Sequence, residues 1–420
     1  MRKIRWKVYL TIWLLTIVLN VVAWNSATFC DWYIAHIFPV WVNTYGRITG
    51  IVPFSVGEIL IVLGTALIAG AVILGISWGL VTLIRERFHR KRSEEISLRS
   101  MDMLTVSLAK QEKRSMGHHA RRFDRFCSIY FQTFAWILLV VAVIMTLNCF
   151  ILYHASTFSE KYFSQKEGYA EDKEYSLEEL IQLREFVVRK CNSLSARMYR
   201  EENGRILYDG DFALEAKKAM GTLGETYSNL SGFYPSPKPL LGSDIMSQQY
   251  MTGYYFPFSM EANYNDVMYI MNMPVTYCHE LAHLKGFIYE DEANFIAYLA
   301  CIGSEDPVFQ YAGYLSVLNY IDNDFYESVG RDRERYLAEE NILPQVHNDN
   351  IFLVPEEWDR IEKNAVVDTE TMDAISDSFT DTTLKLNGVE DGMVSYSRVV
   401  ELLLQYYDLY GYPTNRVTYN

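Results

Sequence analysis

The sequence has no pair of cysteines in a CxxC spacing, which excludes the usual cysteine-based zinc and redox motifs. Its six cysteines are scattered and predict no disulfide framework. It also has no internal repeat and no low-complexity tract, which excludes a repeat protein. The apolar content of 50% excludes a mainly disordered chain, and 420 residues suffice for two or three folding units with a sizeable core.

Three stretches lack Asp, Glu, Lys and Arg altogether: Val8 to Trp24, Ile59 to Ile84 and Phe131 to Tyr153, with 17, 26 and 23 residues. Each is about long enough to cross a bilayer as a helix. The basic start before the first stretch also fits a cleaved signal peptide, but no Ala-x-Ala cleavage site follows, so a retained anchor is preferred. We predict a membrane region over 1–153, with spans at about 8–24, 59–84 and 131–153, and an outer domain over 154–420.

The two parts carry opposite charge. Residues 1–153 hold 17 Lys and Arg against 8 Asp and Glu, net +9, whereas residues 154–420 hold 21 against 44, net −23. Twelve of the basic residues lie in a predicted loop at 85–125, and four more precede the first span. Basic residues beside spans mark the cytoplasmic side. This pattern predicts a multi-pass protein of a bacterial cytoplasmic membrane with an extracytoplasmic domain, and the lipid bilayer explains the basic loop without a nucleic-acid partner.

The pattern after residue 153 predicts a mainly α (α+β) domain. Ser176 and Glu179 form a capping-box pattern before a long amphipathic helix, and further helical periodicity covers 306–329 and 399–410. The prolines of 234–243 predict a loop. The aromatic stretch GYYFPFSMEANYN at 253–265 predicts an edge strand that turns into a loop. We therefore expect a predominantly helical domain with a small edge-strand sheet.

The chemistry is indicated by His279-Glu-Leu-Ala-His283. Four residues apart on a helix, the two imidazoles project from one face and can bind one zinc ion. Glu280 is rotated by roughly 100° from His279, beside an open coordination position. This arrangement predicts peptide hydrolysis by a zinc-activated water with Glu280 as the general base. Gly286 ends the helix, and Cys278 points away from the ligand pair and is expected to pack in the core.

A third protein ligand is expected on the next element. A histidine six residues after His283 would fit the metzincins, but Tyr289 stands there. Glu290 and Glu292 remain as alternatives, because both lie at the start of a predicted helix where acidic residues also complement the helix dipole. The spacing of four residues from Glu290 to Asn294 resembles the ExxxD pattern of gluzincins, so Glu290 is preferred, with Asn294 orienting a ligating histidine.

The three-span start, GYYFPFSMEANYN, HELAHLKGFIYEDEANFIAYLAC and LKLNGVEDGMVSYSRVVELL at 384–403 together resemble a family of bacterial membrane proteins, the domain of unknown function 3810. The resemblance covers nearly the whole chain. It implies a zincin-like domain with a metal site. In zincins an edge strand above the active-site helix holds the substrate backbone, so Glu261 and Asn265 are candidates to touch substrate, with the alternative that they are a loop-capping acid and a turn residue.

An oxyanion-stabilising group is also expected, and Tyr311, Tyr314 and His347 are equal candidates for it. We predict a membrane-anchored zinc metalloendopeptidase that acts on a peptide or protein of the cell envelope. The alternative function is a catalytically silent zincin-fold binding module. An intramembrane protease is disfavoured, because acidic residues at 290–292 follow the motif closely.

Overall fold

A computed structural model describes residues 2–98, 103–170, 173–339, 341–374, 376 and 398–413. Most of these residues are helical, and the described strands form one small sheet, which confirms the prediction of a mainly helical chain. The helices are α1 (Arg2–Asn25), α2 (Ala27–His36), α3 (Phe38–Trp41), α4 (Arg47–Thr49), α5 (Val56–Leu98), α6 (Met103–Met145), α7 (Leu177–Ser195), α8 (Phe212–Thr226), α9 (Ser243–Ser247), α10 (Met273–His283), α11 (Glu290–Ile302), α12 (Pro307–Ser328), α13 (Arg333–Leu337), α14 (Pro344–Asp349), α15 (Pro355–Asn364) and α16 (Arg398–Tyr410).

The chain forms two compact units. The first contains residues 1–17 and 59–143, and the second contains 18–58 and 144–420. In the first unit Tyr130 donates a hydrogen bond to the carbonyl oxygen of Leu67 (2.6 Å), and Arg85 forms an ion pair with Asp124 (2.8 Å). These contacts join α5 to α6.

Three helices are long and apolar enough to cross a membrane: Trp6–Asn25, Val56–Arg87 and Arg121–His154. They cover the three predicted spans, and most of their large apolar side chains are exposed, as expected for a surface that faces lipid. The segment 85–125, which the sequence predicts as a loop, is largely helical, because α5 continues to Leu98 and α6 begins at Met103. The thickness of the bilayer limits the length of an apolar stretch but not the length of the helix that contains it. Glu, Lys and Arg favour helix formation, so both helices continue beyond their apolar stretches.

The second unit includes more of the chain than the predicted domain, which begins at residue 154. The segment 18–58 belongs to it because distant residues hydrogen-bond to its backbone and side chains. Thr49 donates to the carbonyl oxygen of Ser259 (2.9 Å), and the backbone N–H of Gly57 donates to the carboxylate of Glu261 (2.8 Å). These contacts join residues about 200 positions apart, so no local pattern predicts them.

The predicted capping box at the start of α7 is confirmed. The hydroxyl of Ser176 accepts from the backbone of Glu179, and the Glu179 carboxylate accepts from the backbone of Ser176, which completes the capping box of α7. Asp306 caps α12 from one side only, by accepting from the N–H of Val308 (2.7 Å). Gly286 has a φ of +90°, and a Cβ there would lie 2.8 Å from Ile34 Cγ2, so only glycine fits after α10.

The sheet has the order β1 (Lys238–Pro239), β3 (Glu261–Tyr264) and β2 (Gly253–Phe256). β1 pairs parallel with β3, and β2 pairs antiparallel with β3. The stretch 253–265 is therefore a hairpin rather than one edge strand, with Pro257 in the turn, β2 at one edge of the sheet and β3 in its centre. The predicted loop at 234–243 contains the two-residue edge strand β1. Local sequence predicted neither partner, since β-pairing depends on distant residues.

The core of this unit lies around α10, α11 and α12. α11 packs against both neighbours, and α10 also contacts α8, β2 and β3. Cys278 is fully buried there, which confirms its predicted packing role, and its Sγ lies 3.9 Å from that of Cys301 on α11. The last described helix, α16, packs on α11 and α7. Of the block at 384–403 in the family resemblance, residues 384–397 lie outside the described part of the chain.

Candidate metal centre

The two histidines of the motif lie on α10 and face the same point. His279 Nε2 and His283 Nε2 are 3.0 Å apart, with the imidazole planes at 89°. His283 is buried, and the side chain of His279 is 13% exposed. The spacing of one helical turn thus produces the convergence predicted from the sequence.

Glu290, the first residue of α11, completes a group of three. Its carboxylate oxygens lie 3.0 Å from His279 Nε2 and 3.7 Å from His283 Nε2. The three ligand atoms lie within 4.8 Å of one another. The turn between α10 and α11 therefore places a carboxylate against the imidazole pair, and the 44% exposure of the Glu290 side chain shows that the group opens to solvent on that side.

Both imidazoles are oriented by hydrogen bonds from Nδ1. His283 Nδ1 lies 2.7 Å from the carbonyl oxygen of Phe287, and His279 Nδ1 lies 2.8 Å from Asn294 Oδ1. A carbonyl oxygen only accepts, so each Nδ1 carries a proton, and each Nε2 is turned toward Glu290. Asn294 thus contacts His279 from one turn into α11.

The carboxylate of Glu290 favours a positive charge on the neighbouring imidazole of His279. Burial lowers the pKa of His279, but the carboxylate of Glu290 outweighs it and brings that pKa to about 9. Burial raises the pKa of Glu290, and the charge of His279 outweighs burial and lowers it to about 2. Burial lowers the pKa of His283 to about 4. A proton at His279 balances Glu290 in this arrangement, and a bound cation would replace that proton.

The residues fit a small divalent ion. Ligand atoms bound tetrahedrally to zinc at 2.0–2.1 Å lie about 3.4 Å apart, and the two histidine–carboxylate distances here are 3.0 and 3.7 Å. Without a cation or proton, two imidazole lone pairs 3.0 Å apart would repel each other. Two imidazoles and one carboxylate are a ligand set that zinc accepts.

Glu292, the alternative third ligand, lies elsewhere. Its carboxylate accepts a hydrogen bond from the backbone N–H of Phe158, and burial raises its pKa to about 8. Asp291 is also buried, and burial raises its pKa to about 6. Of the three consecutive acids, only Glu290 meets the histidines.

Glu280 lies beside the group and is 3% exposed. Its Oε2 has no hydrogen-bond partner among the described residues, and burial raises its pKa to about 8. A Cβ on Gly253, the first residue of β2, would lie 2.7 Å from Glu280 Oε1. The edge strand therefore passes directly over the carboxylate, and a glycine allows this approach. A glycine at the start of an aromatic strand was the one sequence signal that could have indicated it.

The two residues predicted to touch substrate are buried and have structural partners instead. Glu261 binds Lys238, the hydroxyl of Ser259 and the first N–H groups of α5. Asn265 donates to Ser247 Oγ (2.8 Å) and accepts from the N–H of Val267 (3.1 Å). Their roles are those of a capping acid and a turn residue, the alternative that the sequence left open.

None of the three candidates for oxyanion stabilisation has a described contact with the metal-ligand group. Tyr311 is buried and donates to Asp349 (2.8 Å), and Tyr314 packs against Phe186. His347 lies on α14. Other aromatic residues adjoin the group.

Two of these aromatic residues flank the histidine–carboxylate group. The ring of Tyr255 on β2 is 6.1 Å from that of His283, and Tyr289 immediately precedes Glu290 and donates to the carbonyl oxygen of Tyr153 (2.6 Å).

Replacing Asn294 with alanine is expected to weaken metal binding by about 10- to 100-fold, because the His279 ring loses the hydrogen bond that fixes its tautomer. Titration of the full-length protein with zinc against a competing chelator measures this change. Asn294→Asp is the matched control, since it keeps an acceptor at the same position and should retain binding. Equal affinity in the wild type and Asn294→Ala would contradict the orienting role.

Comparison with known proteins identifies the family. The family model described as a protein of unknown function (DUF3810) matches residues 33–404, a range that contains the whole histidine–carboxylate group. No curated protein and no solved structure matches the chain. The matched range covers most of the 420 residues, and the chain belongs to this family of unknown function.

Proposed function

We propose that the protein is a membrane-anchored zinc metallopeptidase with a zincin-like domain of the gluzincin type. The observation that carries this proposal is the convergence of His279, His283 and Glu290 on one point beside the buried carboxylate of Glu280. Two histidines and a glutamate are the protein ligands of one class of catalytic zinc site, which keeps a further position open. The exposed side of Glu290 provides an approach for a substrate.

A bound zinc ion would lower the pKa of a water molecule and polarise a peptide carbonyl. Glu280 supplies the proton transfer: an oxygen of its carboxylate takes a proton from the attacking water and passes it to the nitrogen of the leaving amine. The raised pKa of Glu280, about 8 through burial, suits a group that gains and loses a proton near neutrality. Asn294 and the Phe287 carbonyl keep the imidazoles in one orientation throughout.

β2 is the candidate strand for binding the substrate backbone. It lies at the edge of the described sheet, with β3 on one side, and its other edge is unpaired among the described strands. A peptide added to that edge would form backbone hydrogen bonds and pass close to Glu280, because Gly253 lies against this carboxylate. This mode of binding recognises the backbone of the peptide more than its side chains.

We further propose that the second unit is extracytoplasmic, in a bacterial cytoplasmic membrane. If the chain crosses the membrane three times, the segment between the first two spans lies on the same side as the residues after the third span. The packing of 18–58 and 144–420 into one unit supports three crossings. The basic residues at the N-terminus and in 85–125 favour the cytoplasm for the opposite side.

The test is cleavage of a random peptide library by the full-length protein in lipid vesicles. We expect cleavage that is lost after dialysis against a zinc chelator and restored by added zinc. Metal binding without cleavage of any peptide would instead support a catalytically silent binding module. Cleavage that persists after complete metal removal would contradict the proposal.

A further inference from the structure

The segment 26–55, between the first two candidate spans, has an apolar exposed face. Trp32, Val40, Ile48 and Ile51 are 51%, 55%, 63% and 80% exposed. The opposite face is buried in the second unit through residues such as Tyr33 and Phe38. The segment therefore consists of short helices that pack one side against the domain and expose an apolar side.

The only charged residues of 26–55, Asp31 and Arg47, both bind to the domain. Asp31 forms an ion pair with Lys161 (3.0 Å) and accepts from the hydroxyl of Ser156 (2.6 Å). The guanidinium of Arg47 lies 3.7 Å from the ring centroid of Phe233. Asp31 is thus paired within the domain. Arg47 is exposed, but a basic residue beside an apolar face is typical of helices that lie in the membrane interface.

The segment continues directly into two candidate spans, which end at Asn25 and begin at Val56. The end of the first is joined to the end of the third, since the Trp24 and His154 rings are 4.6 Å apart. Aromatic residues at span ends are typical of the membrane–water interface. The apolar face thus belongs to the segment that connects the end of the first candidate span to the start of the second.

The end of the third candidate span contacts residues that adjoin the candidate metal centre. Tyr289, which precedes Glu290, donates to the carbonyl oxygen of Tyr153 near the end of the third span. The carbonyl oxygen of Asn148, also in that span, accepts from the hydroxyl of Tyr255 (3.2 Å), whose ring is 6.1 Å from that of His283. Each of these contacts is a direct hydrogen bond, so the metal centre lies close to the end of the third candidate span.

We propose that residues 26–55 lie in the membrane interface with Trp32, Ile48 and Ile51 in the lipid, and hold the metal centre at the bilayer surface. If the proposed function is correct, on which this second part rests, the substrate is a polypeptide anchored in the same membrane and cut close to its anchor. A soluble peptide would have to reach a site beside the lipid, whereas an anchored one is concentrated there.

The lipid contact is tested with spin labels on the full-length protein in liposomes, independently of any activity. Trp32→Cys and Ile51→Cys carry the label, and Leu214→Cys is the control, because Leu214 is equally apolar and 62% exposed but lies beside Lys217 and Lys218. We expect the ratio of oxygen to nickel-chelate accessibility to be several-fold higher at residues 32 and 51 than at 214. Equal ratios at the three sites would overturn the interface assignment.

The substrate class is tested with one peptide sequence that the library assay shows to be cleaved. The peptide is supplied free in solution, or on a palmitoyl anchor in the same vesicles through a short or a long spacer. We expect the short-spacer peptide to be cut with at least a several-fold higher kcat/KM than the free one. Preference for the long spacer or for the free peptide would overturn the substrate class. Failure to cleave any peptide would count against the proposed function and leave the spin-label result standing.

Discussion

Replacing Glu280 with glutamine is expected to slow peptide cleavage by about 10²- to 10⁴-fold, the usual contribution of a positioned general base. Glutamine keeps the shape of the side chain but cannot take a proton from water. The bound metal should be retained, because the three ligand atoms belong to His279, His283 and Glu290. Turnover of the library-derived peptide and metal content, measured on one preparation, check both expectations.

The matched control for this change is Glu292→Gln. Glu292 is also a buried glutamate with a pKa raised by burial, but it accepts its hydrogen bond from Phe158 and does not meet the histidines. Its replacement makes the same change of carboxyl to amide in the same part of the domain and should leave turnover within a few-fold of the wild type. A large loss in Glu292→Gln together with normal turnover in Glu280→Gln would reverse the assignment of the base.

Replacing Lys238 with methionine is expected to destabilise the second unit by about 3 kcal/mol or more, the usual cost of breaking a buried ion pair. Lys238 and Glu261 are both almost fully buried, and Lys238 also donates to the carbonyl oxygens of Thr49 and Phe54. Its loss leaves the Glu261 carboxylate buried with fewer donors. A lower midpoint of thermal unfolding for the purified protein in detergent measures the effect.

Lys218→Met is the control for this prediction, because Lys218 forms its ion pair with Glu305 at the surface. Exposed pairs contribute little, so the unfolding midpoint should hardly move. Adding Glu261→Gln to Lys238→Met should recover part of the lost stability, since the buried charge is removed as well. A midpoint unchanged by Lys238→Met would show that this pair does not hold the segment 49–57 on the sheet.

The parts of the fold that depend on local sequence could be predicted. The spans follow from the length of uncharged stretches, the start of α7 follows from its capping box, and the convergence of His279 and His283 follows from helical periodicity. The choice between Glu290 and Glu292 was open in the sequence because both begin the same helix. The structure separates them through the direction in which each side chain leaves α11.

The parts that depend on distant residues could not be predicted. The carbonyl of Phe287 orients His283 without any side-chain signature, and Gly253 reaches Glu280 only because β2 packs over α10. Glu261 resembles a substrate-binding residue in the motif, yet its partners come from Lys238 and from the start of α5, which no periodicity connects to it. The same limit applies to the segment 26–55. Which of its apolar residues are exposed depends on how its other face packs against the domain.

The most direct test of the account is the metal content of the purified full-length protein, compared among the wild type, His279→Ala and Glu292→Gln. We predict one zinc per chain in the wild type and in Glu292→Gln, and none in His279→Ala. Of the two variants, only His279→Ala removes a ligand atom from the histidine–carboxylate group. A folded wild-type protein that binds no divalent ion, or one that binds zinc equally well in all three forms, would contradict the assignment of the metal centre.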